Sequence, residues 1–146
     1  MKRRILMTDI RFTVPGQPVG KQRPRVAKRG GFTTVYTPKE TVKYENLVKQ
    51  CFRSAANGES FPKGSMLDMR VIAYYRIPKS TSKKRREEML SRKLRPIIKP
   101  DYDNIGKVVS DGLNKIAYHD DAAIVDGLVR KFYSDIPRVE VRIKVI

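Results

Sequence analysis

Residues 99 to 121 read KPDYDNIGKVVSDGLNKIAYHDD. From Asp101 to Asp126 six acidic residues, Asp101, Asp103, Asp111, Asp120, Asp121 and Asp126, stand against only two cations, Lys107 and Lys115, and all six are Asp. Carboxylates that converge raise one another's pKa unless a cation separates them. An all-oxygen donor set of this kind suits Mg²⁺, which is commonly held by one or two carboxylates and takes further positions from water or a substrate phosphate. The short Asp side chain fixes such ligands with fewer rotors than Glu. A D-x-D pair alone is a weak signal. D-x-D-N, then Lys four residues after the second Asp, then another Asp and a DD pair, is a much rarer constellation. Singly, each residue also has a structural explanation: Asp103 as an N-cap, Asp111 as an i+4 partner of Lys107 or Lys115, Asp120–Asp121 as a turn.

These side chains need elements to hold them. Pro100 disfavours helix at Lys99, so the chain should reach Asp101 extended. Asp103 is the expected N-cap of a helix from Asn104 to about Lys115. On it Ile105, Val108, Val109 and Ile116 share one side, and Asp103, Lys107, Asp111 and Asn114 the other. After Tyr118-His119, an antiparallel or crossover return could bring Asp120–Asp121 back beside Asp101 and Asp103, an assumption the spacing alone does not require. His119 reads as a loop residue.

Around this island, Ile10 to Val14 predicts a strand, and PGQPVGKQRPRVAKRGG a loop charged by Lys21, Arg23, Arg25, Lys28 and Arg29. Phe32 to Tyr36 is β-prone. Thr37-Pro38-Lys39-Glu40 predicts a capping box with Thr37 at N-cap. The helix that follows buries Tyr44, Leu47, Val48, Cys51, Phe52 and Ala55 and stops at Asn57-Gly58. Leu67 to Ile77 predicts a strand, and Ser82 caps a short charged helix to about Leu90. Ala123 to Tyr133 predicts a strand kinked at Gly127, and Arg138 to Ile146 a period-2 strand. The pattern is that of an α+β protein: one two-layer domain over residues 1–146, with a mixed sheet and a few helices.

The 146 residues carry 32 Lys plus Arg against 15 Asp plus Glu, a net +17 that points to a polyanionic partner, DNA or RNA. Lys21, Arg23, Arg25, Lys28, Arg29 and the Lys83, Lys84, Arg85, Arg86 cluster are candidate phosphate contacts, as is Lys99. No apolar run approaches the ~18 residues of a membrane span, and the N-terminus lacks a signal-peptide core. A single cysteine, Cys51, excludes a disulfide framework and points to a reducing, cytoplasmic setting.

KPDYDN, Lys107, Asp111, Leu113-Asn114 and His119-Asp120-Asp121, with Gly20-Lys21-Gln22-Arg23-Pro24-Arg25 and Tyr36-Thr37-Pro38, resemble the signature of the RusA family of Holliday junction resolvases, common in phages and prophages. The resemblance implies a homodimeric α+β endonuclease that uses Mg²⁺, or Mn²⁺ in its place, to nick opposed strands of a four-way DNA junction in recombination, repair or phage DNA processing. By position it implies Asp101, Asp103 and Asp121 as metal ligands, with Asp120 adjoining, and Lys107 as the active-site lysine. Tyr36, Tyr74, Tyr75 and Phe132 are candidate wedges at a crossover, or core residues. Rival readings are a non-catalytic DNA-binding protein and a nuclease for other branched or duplex DNA.

Overall fold

The computed structural model describes residues 6–146; the start of MKRRILMTDIRFTV, a stretch that reads from sequence as the lead into a strand, lies outside them. In chain order the elements are β1 (Asp9–Pro15), β2 (Arg25–Arg29), β3 (Phe32–Tyr36), α1 (Lys39–Ala56), β4 (Leu67–Arg76), α2 (Lys83–Leu90), α3 (Tyr102–Gly112), β5 (Ile124–Ser134) and β6 (Arg138–Val145). Four strands form one mixed sheet in the order β1-β6-β4-β5, with β4 antiparallel to β6 and parallel to β5. A parallel pair needs a long crossover. Here α2 and α3 supply it, so the aspartate island is part of the connection that closes the sheet.

Alternation decides the faces. Ile10, Phe12 and Val14 of β1, Val71, Ala73 and Tyr75 of β4, and Val139, Val141 and Ile143 of β6 turn to one side, where they meet Val48 and Phe52 of α1 and Ile105, Val108 and Val109 of α3 in a single core. Tyr74 and Phe132 point to the other side and stack with ring centroids 6.0 Å apart, under Arg92 and Arg95. The result is a two-layer α+β arrangement with a mixed sheet, as the pattern of elements required. Among the described residues no helix is long and apolar enough to cross a membrane.

Several local expectations change. The loop expected over residues 15–31 contains strand β2, which pairs with β3 as a separate two-stranded ribbon around Gly30-Gly31, both at positive φ (51° and 82°). Two adjacent glycines satisfy a tight turn that needs φ > 0 twice. The capping box at Thr37 does not form. Pro38 remains extended (φ −54°, ψ 142°) as the last residue before α1, and its carbonyl accepts from the N–H groups of Thr41 and Val42. Along α1 the buried face is Thr41, Tyr44, Val48, Phe52 and Ala56, so Ala56 replaces Ala55. The predicted stop holds: Asn57 is left-handed (φ 51°). Ser82 caps α2, its Oγ accepting from the Arg85 N–H. The irregularity in β5 falls at Val125, skipped between the pairs Leu67–Ile124 and Asp68–Asp126, while Gly127 stays in register with Met69.

Candidate active site

Helix α3 begins two residues earlier than expected. The Asp101 carbonyl accepts from the Ile105 N–H at 3.1 Å, which closes the first turn there. Asp101 is therefore the N-cap and Asp103 lies inside the first turn, its Oδ1 accepting from the Asn104 N–H at 3.0 Å. Both carboxylates sit at the positive end of the helix dipole. The helix ends at Gly112 rather than Lys115. Lys115 is left-handed (φ 64°), and Ile116 packs from a following turn rather than from the helix. Gly112 has a packing reason: a Cβ there would lie 3.3 Å from the Glu45 carbonyl oxygen and 3.5 Å from Val48, so its absence lets α3 cross α1 closely.

The chain leading to Asp101 is held from the sheet. The Tyr75 hydroxyl donates to the Pro100 carbonyl at 2.5 Å, and the Lys131 ammonium donates to the Ile98 carbonyl at 2.7 Å. Burial pushes the Tyr75 phenol up, helped by the charge of Asp101. Burial pulls Lys131 down, and Asp101 opposes it. Neither residue was assigned a place here by sequence. Tyr75 carries only the signal of an inward strand position, and Lys131 carries none.

On the opposite flank of α3, the Asn114 Oδ1 accepts from the Asp121 N–H at 3.2 Å, and Asp120 Oδ1 accepts from the Ala122 N–H at 2.8 Å, capping a short 3-10 turn. Burial raises the Asp121 pKa, and the hydrogen bond and charge of Asp120 and the charge of Asp111 raise it further, against Lys107. Asp120 moves the other way, lowered by the Ala122 N–H and by Asp121. Lys107 Nζ lies 3.4 Å from Asp111 Oδ2, and Lys21 Nζ lies 3.3 Å from the same atom and 2.5 Å from Glu45 Oε1. Burial lowers Lys21, but the hydrogen bond and charge of Glu45, with Asp111, outweigh it and the net shift is upward. Lys21, expected on a phosphate, is engaged with these two carboxylates.

Two grooves run along α3. One, of about 750 Å³, is lined by Arg23, Arg25 and Lys99 with Asp101 and Asn104. The other, of about 330 Å³, is lined by Tyr102, Gly106, Ser110 and Asp121 against Leu128 and Val129 of β5. Asp103 and Lys107 are exposed on the crest between them. Asp121 is thus near Lys107 and Asp111, and Asp101 is near Tyr75 and Lys131. Among the described residues, no group of three or more His, Cys, Asp or Glu side chains gathers closely enough to hold a metal ion.

The remaining candidates separate by exposure. Lys83, Lys84 and Arg85 project from α2, whereas Arg86 is paired with Asp135. Lys28 and Arg29 are exposed on the β2–β3 ribbon. His119 is exposed. Cys51 packs against the core, with its thiol pushed up by burial.

Residues 15–144 match the family described as endodeoxyribonuclease RusA. The chain belongs to the RusA family. It is also similar to a Bacillus subtilis (strain 168) chain called Uncharacterized protein YqaN, with 41% identity over 140 residues, 94% of this chain and 97% of that one. Membership of the RusA family implies an endodeoxyribonuclease, a hydrolase of the DNA backbone; RusA resolvases act on branched DNA, and the family's nucleases generally depend on a divalent metal. The donor chemistry on α3 and its neighbouring turn fits that dependence. Asp101, Asp103, Asp120 and Asp121 offer only oxygen, the preference of a hard cation, and Asp120 and Asp121 hold adjoining carboxylates whose mutual repulsion such an ion relieves.

Proposed function

We propose that this RusA-family chain resolves four-way DNA junctions by paired nicks, with Asp101, Asp103 and Asp121, and Asp120 beside them, as the residues that hold Mg²⁺ or Mn²⁺. The observation that carries this reading is the pairing of Asp103 and Lys107 on the exposed crest of α3 with the Asp120–Asp121 turn packed along its flank, in a chain of net charge +17. When bound, a divalent cation supplies charge neutralisation and Lewis acidity toward a phosphoryl oxygen.

The chain's own groups do the rest. Lys107, tethered weakly to Asp111 at 3.4 Å, is free to turn to a phosphate and offset charge that develops there. Asp111 is shared with Lys21, so the loop before β2 and the active-site helix are coupled through one carboxylate. Tyr75 and Lys131 fix the backbone before Asp101, which sets where its carboxylate sits relative to the crest. Arg23, Arg25 and Lys99 border the Asp101 groove and supply the cationic wall against which a DNA strand would lie. Two coordinated nicks need two sites, so the active species is a homodimer.

Asp103→Asn tests the assignment. Its carboxylate is exposed and supports no distant contact, so the fold should survive. Mg²⁺-dependent cleavage should disappear while junction binding in chelator remains. Full cleavage by the variant would remove the metal-site assignment.

A further inference from the structure

Among the described residues, the β2–β3 ribbon is the one pair of strands not joined to the main sheet. A lone two-stranded hairpin is marginally stable in water, and this one rests on no hydrophobic layer. Every residue of β3 is exposed, Phe32 by 78% and Tyr36 by 45%. Its register gives each face a distinct chemistry. Arg25 pairs with Tyr36, Ala27 with Thr34 and Arg29 with Phe32, and strand alternation puts these three pairs on one face. Val26–Val35 and Lys28–Thr33 occupy the other. One face therefore presents an Arg–aromatic pair at each end with small residues between.

Charge narrows the partner. Between Asp9 and Glu40 the sequence has no acidic residue, and Arg11, Lys21, Arg23, Arg25, Lys28, Arg29 and Lys39 are all cationic. Arg25, Lys28 and Arg29 make no ion pair among the described residues. A second ribbon would bring like charges together; a nucleic acid complements them. The ribbon is also continuous with the site, because Arg25 at its root lines the groove that holds Asp101. The Arg29–Phe32 pair lies about 13 Å further out, roughly four base steps.

We propose that this face binds unpaired bases at the branch of the DNA substrate, stacking them on Phe32 and Tyr36 while Arg25 and Arg29 hold the flanking phosphates. The inference rests on the branched-DNA reading and adds to it a specificity element outside the aspartate site. Every base has a π-face, so the element favours unstacked over paired DNA without reading sequence.

The test measures binding of the full-length chain in EDTA, so that it reads no cleavage and stands apart from the nuclease assignment. The probes are a four-way junction carrying 2-aminopurine at the branch, a single strand and a matched duplex. Phe32→Ala/Tyr36→Ala should weaken single-strand and junction binding by about fivefold to 100-fold and abolish the 2-aminopurine fluorescence change. Duplex binding should stay within about twofold, since phosphate contacts persist. Phe32→Tyr/Tyr36→Phe, which keeps both rings, should bind all three probes like the parent. Equal loss on all three probes by the double alanine variant, loss in the ring-preserving variant, or no loss in either, overturns the proposal. Sedimentation adds one more contrary outcome: a dimer that falls to monomer in the double alanine variant would make the face a protein interface.

Discussion

Helix α3 buries Ile105, Val108 and Val109 completely, whereas the β2–β3 ribbon buries no side chain. The helix is fixed at both ends, by the Tyr75 and Lys131 hydrogen bonds before Asp101 and by the close crossing at Gly112. Among the described residues, the ribbon is fixed only at its root, where the preceding loop packs on α3: the Lys21 N–H donates to the Asn104 carbonyl at 2.9 Å. Chemistry at a phosphorus atom demands placement to a fraction of an ångström, and rigid elements supply it. Recognition of a branched polyanion demands reach and adaptability, which suit a weakly supported element. On the proposed reading, the two regions divide the work along that line. The aspartates and Lys107 sit on the rigid part, and Arg25, Lys28 and Arg29 on the adaptable part.

Five substitutions sharpen or break this division. Asp121→Asn removes a carboxylate from the rigid part; cleavage should fall by at least about 100-fold while junction affinity in EDTA, read by gel shift, changes little. Ile105→Ala strikes the anchor of the same helix and should destabilise the fold by about 3 kcal/mol in denaturant titration. Phe32→Ala, on the unburied ribbon, should change stability by less than about 0.5 kcal/mol. If the two cost the same, the contrast between supported and unsupported regions is wrong.

Lys21→Met cuts the link between them. It leaves Glu45 and Asp111 without their shared cation and should cost about 2 kcal/mol at neutral pH. The pH dependence has a definite sign. Because the Lys21 pKa is raised in the folded chain, its contribution is complete below the ordinary lysine range and is lost as pH rises through the raised value. On the alkaline side, the stability gap between parent and Lys21→Met should therefore persist until strongly alkaline solution. Arg29→Ala should have the smallest effect, weakening junction, duplex and single strand and lowering the slope of log K against log salt by about 0.9 for duplex and about 0.7 for single strand.

The strands of the main sheet were legible because alternation writes a buried face directly into the chain: Val139, Val141 and Ile143 could face only one way. The presence of α3 and its apolar side were legible for the same reason. Its boundaries were not, because Asp101 and Asp103 are both acceptable N-caps and only the bond from Ile105 to Asp101 decides between them. Strand β2 was hidden by its company. Pro24 before it and Gly30-Gly31 after it mark a loop, and with only Val26 and Ala27 as apolar residues it has no buried face to announce it. The aspartates and Lys107 stood out by type and spacing. Glu45, Tyr75 and Lys131 did not, since each takes its place from a contact across at least 24 residues that no local pattern encodes.

The most direct test is incubation of the chain with a fixed synthetic four-way junction, a matched duplex and a flap, with and without Mg²⁺. The account predicts paired, symmetric nicks in the junction alone and only with Mg²⁺. Equal cutting of the duplex, cutting in EDTA, or junction binding with no cutting in either Mg²⁺ or Mn²⁺ would contradict it.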